Sequence, residues 1–126
     1  MKKIEALADA IGKLNGIHDP ESEAYALRNP LLIKSFARPG KHETDDKGRR
    51  IFSSLLNGYK AGLFDLELKI SGKSRANLTS ESTLETLLAC FEIKTRQAAD
   101  LVASFIRRAL KDPSVTFKTP ISYFAE

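Results

Sequence analysis

Few residues in this chain stand at spacings that do chemistry, and each has a plainer reading beside it. Glu43 with Asp45-Asp46 gathers three carboxylates, the donor type that hard cations take. Lys41 and Lys47 flank them, so a solvated loop is expected rather than a metal site. His18 beside Asp19 has the form of an oriented base, but no nucleophile accompanies it, and a turn histidine is the expected role. Cys90 is the sole cysteine; Leu87, Leu88 and Phe91 around it predict an inert, buried thiol. One cysteine closes no disulfide within the chain and builds no thiolate zinc site. His18 and His42 are too few for a histidine-rich metal site, so neither metal nor cofactor is expected. There is no phosphate-binding glycine loop and no nucleophile elbow. Lys34, Arg38, Lys41, Arg49 and Arg50 admit an anion, although a solvated surface is the expected role of each. Glu21 and Glu23 follow the Asp19-Pro20 turn, where first-turn carboxylates suit the helix dipole.

The elements that would position these residues are mostly helical. Ile4, Leu7, Ala8, Ile11 and Leu14 recur at spacings of three and four, which predicts an amphipathic helix over 2–15, ended by Gly16. Arg28-Asn29-Pro30 interrupts regular structure, because a residue before proline is pushed from the helical region. Leu31-Leu32-Ile33 then runs toward Phe36. Residues 37–50 carry almost no apolar side chain and hold the turn signals Pro39-Gly40 and Asp46-Lys47-Gly48, so a polar loop or irregular hairpin is expected. Ser53 or Ser54 caps the next helix, whose stripe is Leu56, Tyr59, Leu63, Leu66 and Ile70. Gly58 and Gly62 within it mark close packing, and Gly72 ends it. A basic loop with Lys73 and Arg75 follows. Ser82-Thr83-Leu84-Glu85 has capping-box spacing with Ser82 as the cap, before a short helix burying Leu84, Leu87, Leu88 and Phe91. Thr95 caps a long helix with Ala98, Leu101, Val102, Phe105, Ile106 and Ala109 inward; Arg107, Arg108 and Lys111 close it, and Asp112-Pro113 stops it. Thr119-Pro120 opens a last turn that packs Tyr123 and Phe124.

The expected fold is therefore mainly α, one domain over 1–126, with four or five helices and a possible small β-hairpin. A chain of 126 residues that is 42% hydrophobic and 29% charged has an ordinary globular composition. No apolar run approaches the ~18–20 residues of a membrane span. The start, Met1-Lys2-Lys3, is basic, but Glu5 and Asp9 break the apolar segment a secretory signal needs. The expectation is a cytoplasmic protein, which another factor would have to release for work at a cell wall. The net charge of +4 permits an anionic partner, nucleic acid included, without demanding one.

Several stretches, in order, carry a resemblance. Leu7-Ala8-Asp9-Ala10-Ile11-Gly12-Lys13-Leu14-Asn15-Gly16 is followed by Leu27-Arg28-Asn29-Pro30-Leu31-Leu32. After the polar loop come Gly48-Arg49-Arg50-Ile51-Phe52-Ser53 and Gly58-Tyr59-Lys60-Ala61, then Ser82-Thr83-Leu84 and the helix with Phe105. Together they resemble a family of small lysozyme-like domains from phages and bacteria, related to lytic transglycosylases. In that family the first helix ends in Glu-Gly and the Glu is the catalytic acid; an Asn-Asn-Pro-Gly-Asn-Leu motif follows. The resemblance spans nearly the whole chain. It implies a compact lysozyme-like helical fold and ligand contacts from Asn15, Tyr25, Arg28 and Asn29. Two departures bear on activity. Asn15 stands at the acid position, and an amide cannot protonate a glycosidic oxygen. The second motif has lost a glycine and polar side chains. The resemblance thus implies a degenerate domain that binds a peptidoglycan-like glycan or a protein. The alternatives are an active muramidase or transglycosylase with Glu21 or Glu23 as displaced acid, and a small helical phage-type adaptor or inhibitor.

Overall fold

α1 (Lys3–Leu14) is the element around which the others are arranged. Its first turn is fixed by the Lys2 N–H donating to Glu5 Oε1 at 2.7 Å. Asn15 is its C-cap, and Gly16 at φ +77° turns the chain away. Ile4, Ala6, Leu7, Ala8, Ala10, Ile11 and Gly12 are all buried, so α1 is covered on more than the single stripe its pattern predicts. The cover comes from α3 (Leu55–Ile70) and α5 (Arg96–Leu110), which both pack against it. The short α2 (Glu23–Leu27) and α4 (Leu84–Ala89) and a 3₁₀ turn, Ile121–Phe124, complete the mainly α fold. The structure, a computed structural model, describes residues 1–35, 40–74 and 76–126. Phe36, Arg38 and Arg75, which carried sequence expectations, lie outside the described residues. Among those described, no helix is long and apolar enough to cross a membrane.

The hairpin of 42–51 is irregular, as its turn residues imply. It forms isolated antiparallel bridges, Thr44 with Arg50 and Lys34 with Arg49, rather than strands. The Ile51 N–H donates to Glu43 O at 2.9 Å and the Phe52 N–H to Leu27 O at 3.0 Å, which returns Phe52 to the core.

Segment 28–31 is held between helices by glycines. A Cβ on Gly58 would lie 1.9 Å from Arg28 O, one on Gly62 3.1 Å from Leu31 Cδ1, and one on Gly12 3.3 Å from Pro30 Cβ. The contact line of α3 therefore runs through Gly58, Gly62 and Leu66, which are its buried residues. That line corrects the predicted stripe. Leu56 is 59% exposed, and Tyr59, Leu63 and Ile70 are only partly buried. α5 is rotated in the same sense. Ala99, Val102, Ala103 and Ile106 face inward, while Leu101 is exposed, Ala109 is exposed and Phe105 is partly covered. Small Ala99 and Ala103 permit a close approach that Leu101 and Phe105 would hold off.

Two local expectations are also corrected. Thr83, not Ser82, caps α4, accepting from the Thr86 N–H at 3.2 Å. Pairing of Leu84 N–H with Thr119 O and of Ile121 N–H with Ser82 O fixes that register. Glu85 then bonds Arg96 instead of closing a box. Cys90 is exposed rather than buried, because α4 ends at Ala89 and the turn after it sends Phe91 inward.

The end of the chain ties back to α5. Asp112 accepts from Ser114 Oγ at 2.6 Å, from Tyr123 Oη at 2.6 Å and from the Ser114 N–H at 2.9 Å. These donors hold its carboxyl down to about 2. A carboxyl lowered on folding stabilises the fold above its unfolded pKa, and that contribution is lost as pH falls from ~4 toward the folded value. Denaturation midpoints measured from pH 5 to 2 are expected to fall less steeply in Tyr123→Phe than in wild type.

The glycine contacts give a second test. An exposed helical Gly→Ala change gains roughly 1 kcal/mol of helix propensity. Gly58→Ala is expected to lose about 2–3 kcal/mol instead, since backbone cannot yield 1 Å cheaply. Gly62→Ala meets only the end of Leu31 and is expected to stay within about 1 kcal/mol of wild type. Urea denaturation of both variants reads the contrast.

Candidate functional site

A groove of about 540 Å³ runs along α1 between α3 and α5. Ala6, Ala10 and Gly12 lie along its base. Leu56 and Tyr59 come from α3, Phe105 and Ala109 from α5, and Ile17, Pro30 and Leu55 complete the lining. It exists because the contact lines of α3 and α5 run through small residues, which leaves their larger apolar side chains at the rim. Leu55 and Leu56 are among the most exposed large hydrophobic residues of the chain. A volume of this size, apolar with few polar groups, is the usual character of a binding cleft.

Four ionisable side chains line the groove: Asp9, Lys13, His18 and Tyr59. Burial raises the Asp9 carboxyl above its ordinary value, and Glu5 one turn before it adds to the rise; Lys13 and His18 oppose it. Burial likewise raises the Tyr59 hydroxyl, with the charges of Asp9 and Glu5 acting in the same direction. The Lys13 ammonium stands 5.4 Å from the Phe105 ring centroid. Asp9 makes no ion pair among the described residues.

A second depression of about 430 Å³ adjoins the groove and shares Ile17 and Leu55 with it. Tyr25 and Arg28, two of the expected ligand residues, line it together with Ala26. Arg28 adopts φ +52° at the end of α2, and its guanidinium lies 3.4 Å from Phe52 O.

The remaining candidates are placed differently. Asn15 ends α1 beside segment 28–31, and its amide donates to Pro30 O at 3.0 Å. It lines neither depression. Asn29 is 0% exposed and does not face a ligand. Its Nδ2 donates to Ile33 O at 3.0 Å and Arg50 O at 2.9 Å, and its Oδ1 accepts from the Ile33 N–H at 3.0 Å. The sequence motif there is a structural clamp, which corrects the expectation of a sugar-facing amide. Glu23 bonds Arg49 and Lys47, and the Arg49 hydrogen bond foremost holds its carboxyl below the ordinary range. Arg49 also pairs with Asp45 at 2.7 Å, so Asp45 of the acidic run serves the hairpin. Glu21 is exposed, its N–H donating to Asp19 Oδ1 at 3.0 Å.

Compared with known proteins, the chain matches no family model, no curated protein and no solved structure.

Sequence reasoning did not single out Asp9, Tyr59 or Phe105 as site residues. A signal for Asp9 was present: it is the one charge between Ala6 and Ile11 in an otherwise apolar stretch. Such a residue either reaches water at a rim or is a buried exception. Tyr59 and Phe105 carried no such signal, since an aromatic at helical spacing reads as core.

The clamp predicts a large stability effect at a position that a sugar-binding reading would leave tolerant. Asn29→Ala strands an N–H and two carbonyls in the interior and is expected to cost about 3 kcal/mol or more. Asn29→Asp keeps the acceptor, loses both donations and is expected to fall in the same range. Chemical denaturation of the two variants checks this.

Proposed function

We propose that this chain is a binding domain without glycosidase chemistry, on a lysozyme-like helical scaffold, whose groove along α1 takes an apolar segment of a protein partner. The observation that carries the reading is the apolar groove with Leu55, Leu56 and Tyr59 at its edge. Burying such surface against a partner gains about 25 cal/mol per Å². A glycan site instead needs many polar side chains turned toward sugar hydroxyls, and Asn29, one of the sequence candidates for that work, spends its amide on backbone.

Two further facts support a non-catalytic role. At the position of the family's acid, Asn15 has no proton to give and is bonded to Pro30 O. The proposed substitute Glu23 is held low by Arg49, whereas a general acid must be held high. Asp9 is held high, but glycoside hydrolysis in most enzyme families places two carboxyls roughly 5–9 Å apart on either side of the bond, and Asp9 is the one carboxyl that lines the groove among the described residues, Glu5 lying outside its lining. The place of action we propose is the cytoplasm.

Two experiments test the reading. Purified chain incubated with peptidoglycan sacculi is expected neither to release soluble fragments nor to sediment with them. Selection from a displayed peptide library on the wild type, with Leu56→Asp as counter-selection, is expected to enrich peptides with apolar residues at three- and four-residue spacing. Lysis of sacculi, or recovery of the same peptides on both proteins, overturns the proposal.

A further inference from the structure

A second surface, away from the groove, gathers positive charge. Lys41, His42 and Arg50 line a depression of about 480 Å³ together with Glu43, Ser53 and Asn57. The irregular hairpin brings them there. Pairing of Thr44 with Arg50, and of the Ile51 N–H with Glu43 O, sets His42 and Arg50 on adjoining segments. The backbone of Arg50 is fixed on both sides: its N–H donates to Ile33 O at 2.9 Å and its carbonyl accepts from Asn29. Its guanidinium lies 4.5 Å from the Phe52 ring centroid. Neither Lys41 nor Arg50 forms an ion pair with a carboxylate among the described residues, although five other cationic side chains pair within 3 Å or so of one.

The donors are of the right type for an oxyanion. The Nδ1 of His42 lies 2.8 Å from Ser35 Oγ, which leaves Nε2 for a ligand. Ser53 Oγ accepts from Asn57 Nδ2 at 3.0 Å, so its hydroxyl proton and the second amide hydrogen of Asn57 remain to donate. Both stand beside the first turn of α3, where the helix dipole is positive. Burial lowers the His42 imidazole, and the charges of Arg50 and Lys41 lower it further, as expected where positive charge is undercompensated.

We propose that Lys41, His42 and Arg50, with Ser53 and Asn57, form a binding site for the phosphate group of a small phosphorylated molecule. The site is distinct from the groove and does not rest on the reading given to it. A compact dianion meets the two cations Lys41 and Arg50 and favours the charged form of His42, and phosphate oxygens accept charge-assisted hydrogen bonds from side chains of these types. Glu43 opposes it, so the expected affinity for the bare anion is modest.

The test is an NMR titration of the full chain at low ionic strength, with inorganic phosphate in one arm and a sugar monophosphate in the other. Saturable shifts are expected at the His42 ring and the Asn57 side-chain amide in both arms. Bound phosphate is expected to raise the His42 midpoint, since an added negative charge favours imidazolium against Lys41 and Arg50. Arg50→Gln is expected to weaken binding about tenfold, and Lys41→Gln, on an exposed position, gives the same direction if the first variant does not fold. Lys111→Gln is expected to change nothing. Shifts spread equally over remote lysines, an unmoved His42 midpoint, or binding of a single-stranded oligonucleotide without binding of either phosphate compound would falsify the proposal.

Discussion

The side chain of Asn29 holds three backbone groups at once, and the surrounding architecture is built on that clamp. It joins the turn after α2 to Ile33 and to the returning segment of the irregular hairpin at Arg50. With Asn29 fixed, Arg28 O and Pro30 are presented to α3 at a distance only a glycine tolerates. Removing the clamp leaves polar groups without water or partner, a cost far above the net value of one hydrogen bond. Removing the glycine drives a Cβ into a carbonyl oxygen. The two constraints act on the same four residues from opposite sides.

The groove is a consequence of that packing. α3 meets segment 28–31 along Gly58 and Gly62, and α5 carries the small Ala99 and Ala103 on its buried line beside Val102 and Ile106. Leu56, Tyr59 and Phe105 are thereby displaced to the rim, where they line a concavity. An apolar rim is costly in water unless something covers it. Asp9 and Lys13 moderate that cost by placing charge on the same face.

Charge is divided between two surfaces by the hairpin. Arg49 turns toward Glu23 and Asp45 and becomes part of the scaffold. Arg50, the next residue, turns the other way and joins Lys41 and His42 without a carboxylate partner. Alternation along an extended segment separates adjacent side chains to opposite faces. Two neighbouring arginines of the same type therefore serve different ends.

Local chemistry in the sequence determined the helices, the caps at Ser54 and Thr95, the turn at Gly16 and the irregular loop before Ile51, because each depends on residues within a few positions of one another. Gly58 and Gly62 were legible as a close contact, though not what they contact. The faces of α3 and α5 were decided by tertiary structure: a periodic apolar arc wider than the contact leaves the rotation open, and the small residues that permit approach set it. Ser82 yielded the cap to Thr83 for a similar reason, since the pairing of 82–84 with 119–121 involves segments more than thirty residues apart in the chain, while the exposure of Cys90 follows from where α4 ends. Asn29 shows the limit most clearly. Its sequence neighbourhood marks a conformational break, but whether the amide faces a ligand or the interior depends on Ile33 and Arg50 being brought to it. Asp9 became a groove residue only because helices from two other parts of the chain stand on either side of it.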